Sequence, residues 1–365
     1  MKYFIVTYGC QMNKSDSERV AAVLENIGYR LTLKENEADL IVVNMCSVRQ
    51  SAVDRVYGLI PKLEKLKAKN KKLKTILTGC ILKEDKRKFI KGFNLILNIK
   101  NLPNLPKLLG IKNYKSKVSN YLKIQPKYRT NFPAFIPISN GCNNFCSYCV
   151  VPYVREFLTC RDHKEILAEI KSIVKKKVNP IRNAISNGAR EIWLLGQNVN
   201  DYQSPTDYSI DFAKILKMID DIPGEFKILF ISPHPMNFSD ELIDTLAQCK
   251  KFGKYLNLPV QSGDDKILKK MNRNYTIKEY KKLVQKIRKK IPKIKLSTDV
   301  IVGFPSETEK QFQNTVKLFR EIKFDNAYIA KYSPRPGTAA FKMKDNVPWI
   351  EKKKREKILR EVLKT

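Results

Sequence analysis

Three cysteines lie close together in the middle of the chain, at Cys142, Cys146 and Cys149, with the spacing C-x3-C-x2-C. Three thiolates on one tight loop can each bind one iron of a 4Fe–4S cube. Because most protein-bound cubes use four cysteines, such a loop leaves the fourth iron open, and an open iron can chelate the amino and carboxylate groups of a methionine moiety. Structural zinc usually takes four ligands in C-x2-4-C pairs, and no partner pair follows here. The spacing therefore predicts an iron–sulfur cluster.

A second set of three cysteines follows three predicted strands that are far apart in the sequence. In an open α/β sheet, ligands gather beyond the carboxyl ends of the strands, so these thiols are expected to converge on one edge. The alternative is three separately buried thiols, since free cysteine is commonly buried. The shared strand-end position favours a second cluster. The cysteines are Cys10, Cys46 and Cys80, and the strands are Lys2–Tyr8, Asp39–Met45 and Lys74–Thr78.

The elements that position the second set alternate along the first third of the chain. Helical spacing of apolar residues predicts helices over Ser15–Ile27, closed by Gly28, and over Ser51–Lys69. Strands and helices in this order predict an open parallel α/β sheet with right-handed crossovers. We assign this domain to residues 1–110 and an interdomain linker to residues 111–131, within a stretch from Asn98 to Phe132 that is rich in Asn, Pro and Lys and weak in periodicity.

Strands and helices alternate again over residues 132–347, which predicts a partial (βα)6 TIM-like barrel followed by a C-terminal helix over 348–365. Sites in such barrels lie at the carboxyl ends of the strands. The first predicted strand leads into the Cys142 loop. Polar or glycine-rich segments follow the next three strands: Gly196-Gln197-Asn198, Ser232-Pro233-His234 and Gln261-Ser262-Gly263. The predicted strands are Phe135–Ile138, Glu191–Leu195, Lys227–Ile231, Tyr255–Leu258, Lys295–Val302 and Asn326–Lys331.

Composition narrows the class of protein. The chain has 365 residues, 43% of them hydrophobic, and a formal net charge of +34. A polyanionic partner such as RNA fits that charge, although an AT-rich genome, which favours lysine codons, would produce it too. The apolar run at the start is shorter than a secretory signal requires, and no apolar run approaches the ~20 residues of a membrane span, so we expect a cytoplasmic protein. In a reducing compartment, cysteines are better interpreted as ligands than as disulfides.

Several motifs together resemble the methylthiotransferase family of radical S-adenosylmethionine (SAM) enzymes, and within it the tRNA-modifying, MiaB-like branch. The resemblance runs from Gly9 to about Leu363. The motif Gln11-Met12-Asn13 favours the branch that acts on N6-isopentenyladenosine at position 37 of tRNA. The matching segments are Gly9–Asn13, Asn44–Arg49, Thr78–Cys80, Gly141–Pro152, Leu194–Asn200, Leu258–Gly263, Asp299–Pro305 and Tyr332–Thr338.

This resemblance implies two 4Fe–4S clusters and SAM as cofactors. The cluster on Cys142, Cys146 and Cys149 would cleave SAM reductively, and the resulting radical would abstract the hydrogen from C2 of the adenine. A sulfur carried on the auxiliary cluster of the other three cysteines, methylated by another SAM, would then be delivered to that carbon. The substrate implied is the single-stranded tRNA anticodon loop; an electron donor and a sulfur donor are also required, and neither is identified by the resemblance.

Smaller roles follow from the same comparison. Tyr148 matches the aromatic position that packs near the adenine of SAM. By their strand-end positions, Gln197, Asn198 and Gln261 are expected to contact SAM or substrate, and His234 has either that role or a packing role. We expect Cys160 and Cys249, outside both sets, to be structural.

The chain departs from the family pattern in three respects. Members normally carry a C-terminal β-barrel, the TRAM domain, that grips tRNA, and we expect it to be absent after Thr365. The segment Val154–Arg161 keeps both arginines of the pattern and loses its glycine, glutamate and serine. Residues Val178–Asn187 are interpreted as an insertion. The run Lys352–Arg355 is interpreted either as a phosphate contact or as a solvated helix face.

Two rival functions stay open at this point. A methylthiotransferase of the same fold could act on threonylcarbamoyladenosine in tRNA or on ribosomal protein S12, and Gln11-Met12-Asn13 disfavours both. A non-catalytic iron–sulfur RNA-binding protein is the rival of another class. The presence of all six ligand cysteines argues against it.

Overall fold

The computed structural model describes residues 1–111, 114, 118–128, 133–175 and 190–364. The chain divides into two compact units, Met1–Pro137 with Tyr153–Arg155, and Ile138–Pro152 with Glu156–Thr365. The insertion inferred at Val178–Asn187 lies outside the described residues. Within them, no helix is both long and apolar enough to cross a membrane.

The first unit is built on a five-stranded parallel sheet, which confirms the predicted open α/β fold. Its strand order is β2-β1-β3-β4-β5. Two strands extend beyond their predicted ends, one by one residue to Cys46 and the other by two residues to Cys80. The strands are β1 Lys2–Tyr8, β2 Arg30–Leu31, β3 Leu40–Cys46, β4 Lys74–Cys80 and β5 Leu95–Ile96.

Both faces of this sheet are covered. Successive residues of a strand point to opposite faces, and in β3 Leu40 and Val42 belong to one hydrophobic cluster whereas Ile41 and Val43 belong to another. The first cluster includes residues of the first helix, and the second includes residues of the second helix. The helices of this unit are α1 Gln11–Asn26, α2 Gln50–Lys69, α3 Lys83–Phe89 and α4 Leu105–Leu108.

Helix α1 begins four residues before the predicted start at Ser15. Cys10 is its N-cap, with Asn13 completing a reciprocal capping box. The residues of this first turn are mostly polar, so hydrophobic periodicity could not detect it.

The segment interpreted as a linker over 111–131 includes residues that pack into the core of the first unit. Tyr121, Leu122 and Ile124 are buried there beside Leu102 and Leu105. Short 3-10 turns with asparagine N-caps are found here in place of regular helices or strands. This explains why the sequence shows no regular periodicity. The next strand along the chain is β6 Ala134–Pro137, which is not part of the five-stranded sheet.

The second unit continues the alternation of parallel strands and helices, as predicted for a partial TIM-like fold. A short antiparallel pair, β7 Ser139–Asn140 with β8 Thr159–Cys160, flanks the cysteine loop. The parallel strands are β9 Glu191–Leu195, β10 Lys227–Phe230, β11 Tyr255–Asn257, β12 Lys295–Val302 and β13 Asn326–Lys331. The helices are α5 Val151–Arg155, α6 His163–Lys175, α7 Phe212–Asp220, α8 Asp240–Gln248, α9 Asp265–Lys270, α10 Ile277–Lys290, α11 Glu309–Ile322 and α12 Trp349–Val362. The last three residues of α5 are assigned to the first unit.

The basic run at the start of α12 corrects half of one expectation. Lys353 and Lys354 are exposed, as expected of a solvated helix face. Lys352 and Arg355 are neither solvated nor available to phosphate, because they are 3% and 4% exposed. Lys352 pairs with Asp345 at 2.7 Å, and Arg355 pairs with Glu307 at 2.9 Å. These two cations therefore dock the helix on the second unit.

Candidate functional site

The first cysteine triad comes together at the carboxyl edge of the parallel sheet. Cys46 and Cys80 are register partners on β3 and β4, and their thiols share a hydrogen bond. Cys10 lies at the N-terminus of α1, two residues after β1, and interacts electrostatically with both other thiols. The convergence expected from strand order is therefore present in the structure.

Burial opposes ionisation of two of these thiols, Cys10 and Cys80, unless a cation binds them. Burial raises the pKa of Cys10, and neighbouring Cys80 raises it further, against the opposing effect of Arg155. The Cys80 thiol donates to Cys46, which lowers the pKa of Cys46 and raises that of Cys80 well above its usual range. Since metals bind the thiolate form, a multiply charged iron cluster is the kind of group that fits this donor set.

One arginine lies beside this triad. Arg155 is buried, and its Nε donates to Cys80 Sγ at 2.8 Å. Its Nη2 pairs with the buried Asp16 carboxylate at 2.6 Å, and its Nη1 donates to the Tyr121 hydroxyl at 3.3 Å. Burial alone would lower the pKa of Arg155, but Asp16, Cys80 and Tyr121 together raise it. In the sequence this arginine stands in the divergent segment Val154–Arg161, where no motif indicates a role for it.

Two buried asparagines of the cysteine motifs hold the strand ends in place. Asn13 Nδ2 donates to Asn44 Oδ1 at 2.8 Å and to the Met45 carbonyl at 3.0 Å, and Asn44 Nδ2 donates back to the Asn13 carbonyl at 2.8 Å. Gly79 has a φ of +107°, and a Cβ there would lie 2.2 Å from the Met45 carbonyl oxygen. The motif residues around Cys46 and Cys80 are thus structural supports of the triad.

The second triad lies on a single loop of the second unit. Cys142 is buried and Cys146 and Cys149 are half-buried. Burial raises the pKa of Cys142, and burial together with Cys146 raises the pKa of Cys149 to about 12. As for Cys10 and Cys80 of the first triad, the thiols of Cys142 and Cys149 need a cation to become thiolates.

Backbone contacts and side-chain amides fix the shape of this loop. Gly141 has a φ of +85°, and a Cβ there would lie 2.1 Å from the Phe157 carbonyl oxygen. Its N–H donates to Gln197 Oε1 at 2.6 Å. Asn272 Nδ2 donates to the carbonyls of Asn144 and Phe145, at 3.2 and 3.1 Å. Gln197, expected to contact SAM, therefore has an amide oxygen that positions the loop.

An arginine also lies beside the second triad, again missed by sequence analysis. Arg273 is 6% exposed. Its Nη1 donates to Cys146 Sγ at 3.6 Å, its Nη2 to the Pro259 carbonyl at 2.8 Å and its Nε to the Tyr275 hydroxyl at 3.1 Å. Spacing could not have found it, because it lies 127 residues from Cys146 along the chain.

Burial keeps the rings near Arg273 neutral. Burial is the larger cause and the positive charge of Arg273 the smaller one; together they lower the pKa of His234 to about 3. His234 Nδ1 accepts from the Met236 N–H at 3.3 Å, so the ring proton is on Nε2. Burial raises the pKa of Tyr148 well above its usual range.

The other residues expected to bind SAM differ in how well their polar atoms are satisfied. Asn198 is 1% exposed, and both of its amide atoms lack a hydrogen-bond partner, as does the buried Ser139 Oγ. Buried orphan atoms of this kind are rare in native proteins and mark where a polar ligand or water belongs. Gln261 has a φ of +69°. Its N–H donates to the Asp299 carbonyl at 2.8 Å, and its carbonyl accepts from the Ile301 N–H at 3.0 Å.

A single metal ion fits neither triad. Among the residues that the structure describes, no group of three or more His, Cys, Asp or Glu side chains is drawn together tightly enough to hold one ion. A cube differs because each thiolate binds a separate iron. Two all-cysteine triads fit that requirement, since iron–sulfur clusters are held by cysteine thiolates.

Comparisons with known proteins place this architecture in a class. The Radical SAM superfamily model matches residues 136–319, and the model described as uncharacterized protein family UPF0004 matches residues 2–98. The solved radical SAM methyltransferase TsrM from Kitasatospora setae superposes with a TM-score of 0.61 at 14% identity, over 93% of this chain and 76% of that one. The cobalamin-dependent SAM radical enzyme OxsB gives 0.62 at 12% identity, over 100% of this chain and 56% of that one. The fold is that of a radical SAM enzyme, and SAM and 4Fe–4S clusters are the cofactors of this class.

Curated relatives identify the family more closely. A protein named tRNA-2-methylthio-N(6)-dimethylallyladenosine synthase from Clostridium botulinum (strain Hall) is 42% identical, over 99% of this chain and 81% of its own length. A protein of the same name from Dictyoglomus thermophilum is 42% identical, over 97% and 80%. The chain belongs to the family of these synthases, within the radical SAM superfamily.

Proposed function

We propose that this protein adds a methylthio group to C2 of N6-isopentenyladenosine, the nucleoside also called N(6)-dimethylallyladenosine, at position 37 of tRNA. The observation that carries the proposal is the presence of two separate cysteine triads, each beside a buried arginine, in a chain 42% identical to synthases of that name. Because tRNA is the substrate, the proposed location is the cytoplasm.

The two triads have different proposed roles. Cys142, Cys146 and Cys149 hold the cluster that binds SAM, and the auxiliary cluster is held by the triad Cys10, Cys46 and Cys80. When bound, these groups supply an electron for reductive SAM cleavage and a sulfur for transfer. A triad leaves one iron of each cube without a cysteine, which suits a cluster that must bind SAM or sulfur.

Residues of the second unit would bind and orient SAM. Asn198 and Ser139 offer buried polar atoms that lack partners in the protein. Tyr148 supplies an aromatic ring, and Gln261 a polar side chain at a strand end. Gln197 acts on the loop through its bond to the Gly141 N–H.

The groups around Arg273 are neutral. The neutral tyrosines and His234 surround Arg273 with groups that carry no charge at neutral pH. With a pKa of about 3, His234 cannot act as a general acid near pH 7.

The substrate fits both the charge and the chemistry. A net charge of +34 favours binding to the phosphates of tRNA. An adenosine in a single-stranded loop can be splayed into a pocket without breaking a duplex, which makes its C2 edge accessible.

One mass-spectrometry experiment tests the proposal. Anaerobically reconstituted protein is incubated with SAM, a reductant and tRNA containing N6-isopentenyladenosine, and both 5′-deoxyadenosine and the methylthio nucleoside are quantified. We expect both products. A matched panel containing threonylcarbamoyladenosine tRNA and ribosomal protein S12 should give no methylthio product. Methylthiolation of a panel member instead would contradict the substrate, and absence of deoxyadenosine would contradict the enzyme class.

A further inference from the structure

Two large aromatic rings are exposed side by side at the loop of the second triad. Phe145 lies between two of the cysteines and is 42% exposed, and Phe157 is 67% exposed. Their ring centroids are 6.0 Å apart with an interplanar angle of 59°. Single exposed hydrophobic residues are ordinary, but two adjacent phenylalanine rings in water form an apolar patch of the kind found at binding sites.

The backbone is strained at both positions that present these rings. Phe145 has a φ of +46°. Glu156, immediately before Phe157, has a φ of +64° and a ψ of −161°, a region used almost only by glycine. Such conformations cost energy and persist where the surrounding structure enforces them, often at functional sites.

Hydrogen bonds from fixed groups hold the same backbone. Asn272 Nδ2 donates to the Phe145 carbonyl at 3.1 Å, and the Leu158 N–H donates to Asn143 Oδ1 at 3.0 Å. The rings are therefore presented on a backbone that is already ordered. Preorganisation of this kind reduces the entropy lost on binding.

Two exposed cations lie on the element that supports this loop. Lys269 and Lys270 are the last residues of α9 and are exposed. The Lys270 carbonyl accepts a hydrogen bond from Ser147 Oγ at 2.8 Å, which connects the end of the helix directly to the cysteine loop. Exposed aromatic rings beside cations are the usual combination for single-stranded nucleic acid, since bases stack on the rings and phosphates bind the cations.

We propose that Phe145 and Phe157 form a stacking platform for an unpaired base of the tRNA anticodon loop, and that Lys269 and Lys270 bind the adjacent phosphates. This inference rests on the proposed function. Splaying the target adenosine out of its stack leaves neighbouring bases without a stacking partner, and the platform replaces that partner. RNA is favoured over an apolar protein or lipid partner by the net charge of +34.

The test measures the dissociation constant of the reconstituted enzyme for an anticodon stem–loop RNA that contains N6-isopentenyladenosine, by fluorescence anisotropy. Phe157→Ser should weaken binding by about fivefold or more. Phe157→Leu keeps the apolar volume and loses the flat ring, so it should also weaken binding. The dissociation constant of Phe157→Trp should lie within about twofold of the wild-type value, because a larger ring still stacks.

Tyr208→Ser is the matched control, since Tyr208 is an exposed aromatic residue of the same unit, 71% exposed. It should leave the dissociation constant unchanged. Iron content is measured in every variant to confirm that the cysteine loop is intact.

The salt dependence separates the two parts of the surface. Replacing both lysines, Lys269→Gln with Lys270→Gln, should reduce the slope of log affinity against log salt by about 1.4, for two lost phosphate contacts to a single strand. Phe157→Ser should weaken binding without changing that slope.

Wild-type affinity in both Phe157→Ser and Phe157→Leu would overturn the platform. Weakening by Ser but not by Leu would also overturn it, because apolar contact alone would then explain the effect. Failure of the proposed function has a different signature: the unmodified chain would fail to methylthiolate the RNA, whatever the affinity of the Phe157 variants.

Discussion

The two cysteine triads are built in opposite ways. Cys10, Cys46 and Cys80 come from three separate segments, and the parallel sheet brings them together. The second triad occupies one short loop, and its shape depends on local contacts such as those of Gly141 and Asn272. The first site is therefore a property of a whole folded unit, whereas the second is a property of a loop placed on a barrel-like scaffold.

This difference predicts different sensitivities. A site assembled by strand register cannot form unless the sheet folds, so its loss and the loss of stability should occur together. A site on one loop can lose its ligand geometry while the scaffold remains folded. In both sites, however, one buried arginine donates to one cysteine, at 2.8 Å in the first triad and 3.6 Å in the second.

The largest expected effects come from removing the ligands themselves. Cys142→Ala should reduce 5′-deoxyadenosine formation to background, because the SAM-binding cluster loses one of its three thiolates. Cys10→Ala should leave that cleavage intact and abolish the methylthio nucleoside. Both products are quantified by mass spectrometry. Retained cleavage in Cys142→Ala, or an unaffected methylthio yield in Cys10→Ala, would contradict the division of roles.

Glycine substitutions should separate the two kinds of assembly. Gly79→Ala places a Cβ 2.2 Å from the Met45 carbonyl oxygen, and Gly141→Ala places one 2.1 Å from that of Phe157, both at positive φ. The strain alone costs on the order of 1–3 kcal/mol. We expect Gly79→Ala to lower both the thermal midpoint of unfolding and the iron content, and Gly141→Ala to lower mainly the iron content.

The controls for these substitutions are Gly28→Ala and Gly337→Ala. Both glycines have positive φ values, +88° and +85°, but no atom lies within 4 Å of the added Cβ. They should retain their iron. If Gly141→Ala lowered stability as much as Gly79→Ala, the contrast between a local and an assembled site would be wrong.

The arginines should tune the two clusters independently. Arg155→Met removes a cationic donor to Cys80, so it should lower the reduction potential of the auxiliary cluster, since hydrogen bonds to sulfur and local charge set that potential. A tenfold shift in the one-electron equilibrium corresponds to about 59 mV. Asp16→Asn removes the neighbouring negative charge and should shift the potential upward. Redox titration followed by electron paramagnetic resonance measures both.

Arg273→Met is the matched variant for the other triad, and each cluster is titrated in a chain whose other triad is replaced by alanine. Arg155→Lys should recover most of the potential, because it restores the charge. If Arg155→Met and Asp16→Asn shifted the potential in the same direction, Arg155 would have only a packing role.

The smallest expected effect concerns the strained residue beside the second triad. Glu156→Gly should stabilise the protein by about 1–2 kcal/mol, because glycine adopts a φ of +64° with a ψ of −161° without strain. Lys323→Gly, at a left-handed helix end with a φ of +53°, should stabilise it less. A lower thermal midpoint for Glu156→Gly would show that the glutamate side chain contributes more than its backbone costs.

Sequence patterns predicted the elements that carry strong periodicity. Strand β12 begins and ends at the predicted residues, Lys295 and Val302, since an apolar β-rich run between polar turns has few alternatives. The first turn of α1 was missed because it is formed by the capping box of Cys10 and Asn13 rather than by apolar spacing. The burial of Tyr121 and Leu122 was missed because their segment has no regular period.

The site was predictable only where its residues form a motif. The cysteines stand out by spacing or by strand-end position, whereas Arg155 and Arg273 reach their cysteines across 75 and 127 residues of chain. Such contacts depend on the arrangement of the folded elements, which local sequence does not encode. The bond from the Gly141 N–H to the amide oxygen of Gln197 is a further contact that local sequence did not indicate, and the expected contact of Gln197 with SAM stays a prediction.

The central claim is that two independent triads each hold a cluster. Counting the iron bound per chain tests this claim most directly. Reconstituted wild-type protein should contain about eight irons per chain, and each triple alanine variant, of Cys10, Cys46 and Cys80 or of Cys142, Cys146 and Cys149, should contain about four, with the Mössbauer signature of a 4Fe–4S cluster. Loss of all iron in either variant, or about four irons in the wild type, would contradict two independent sites.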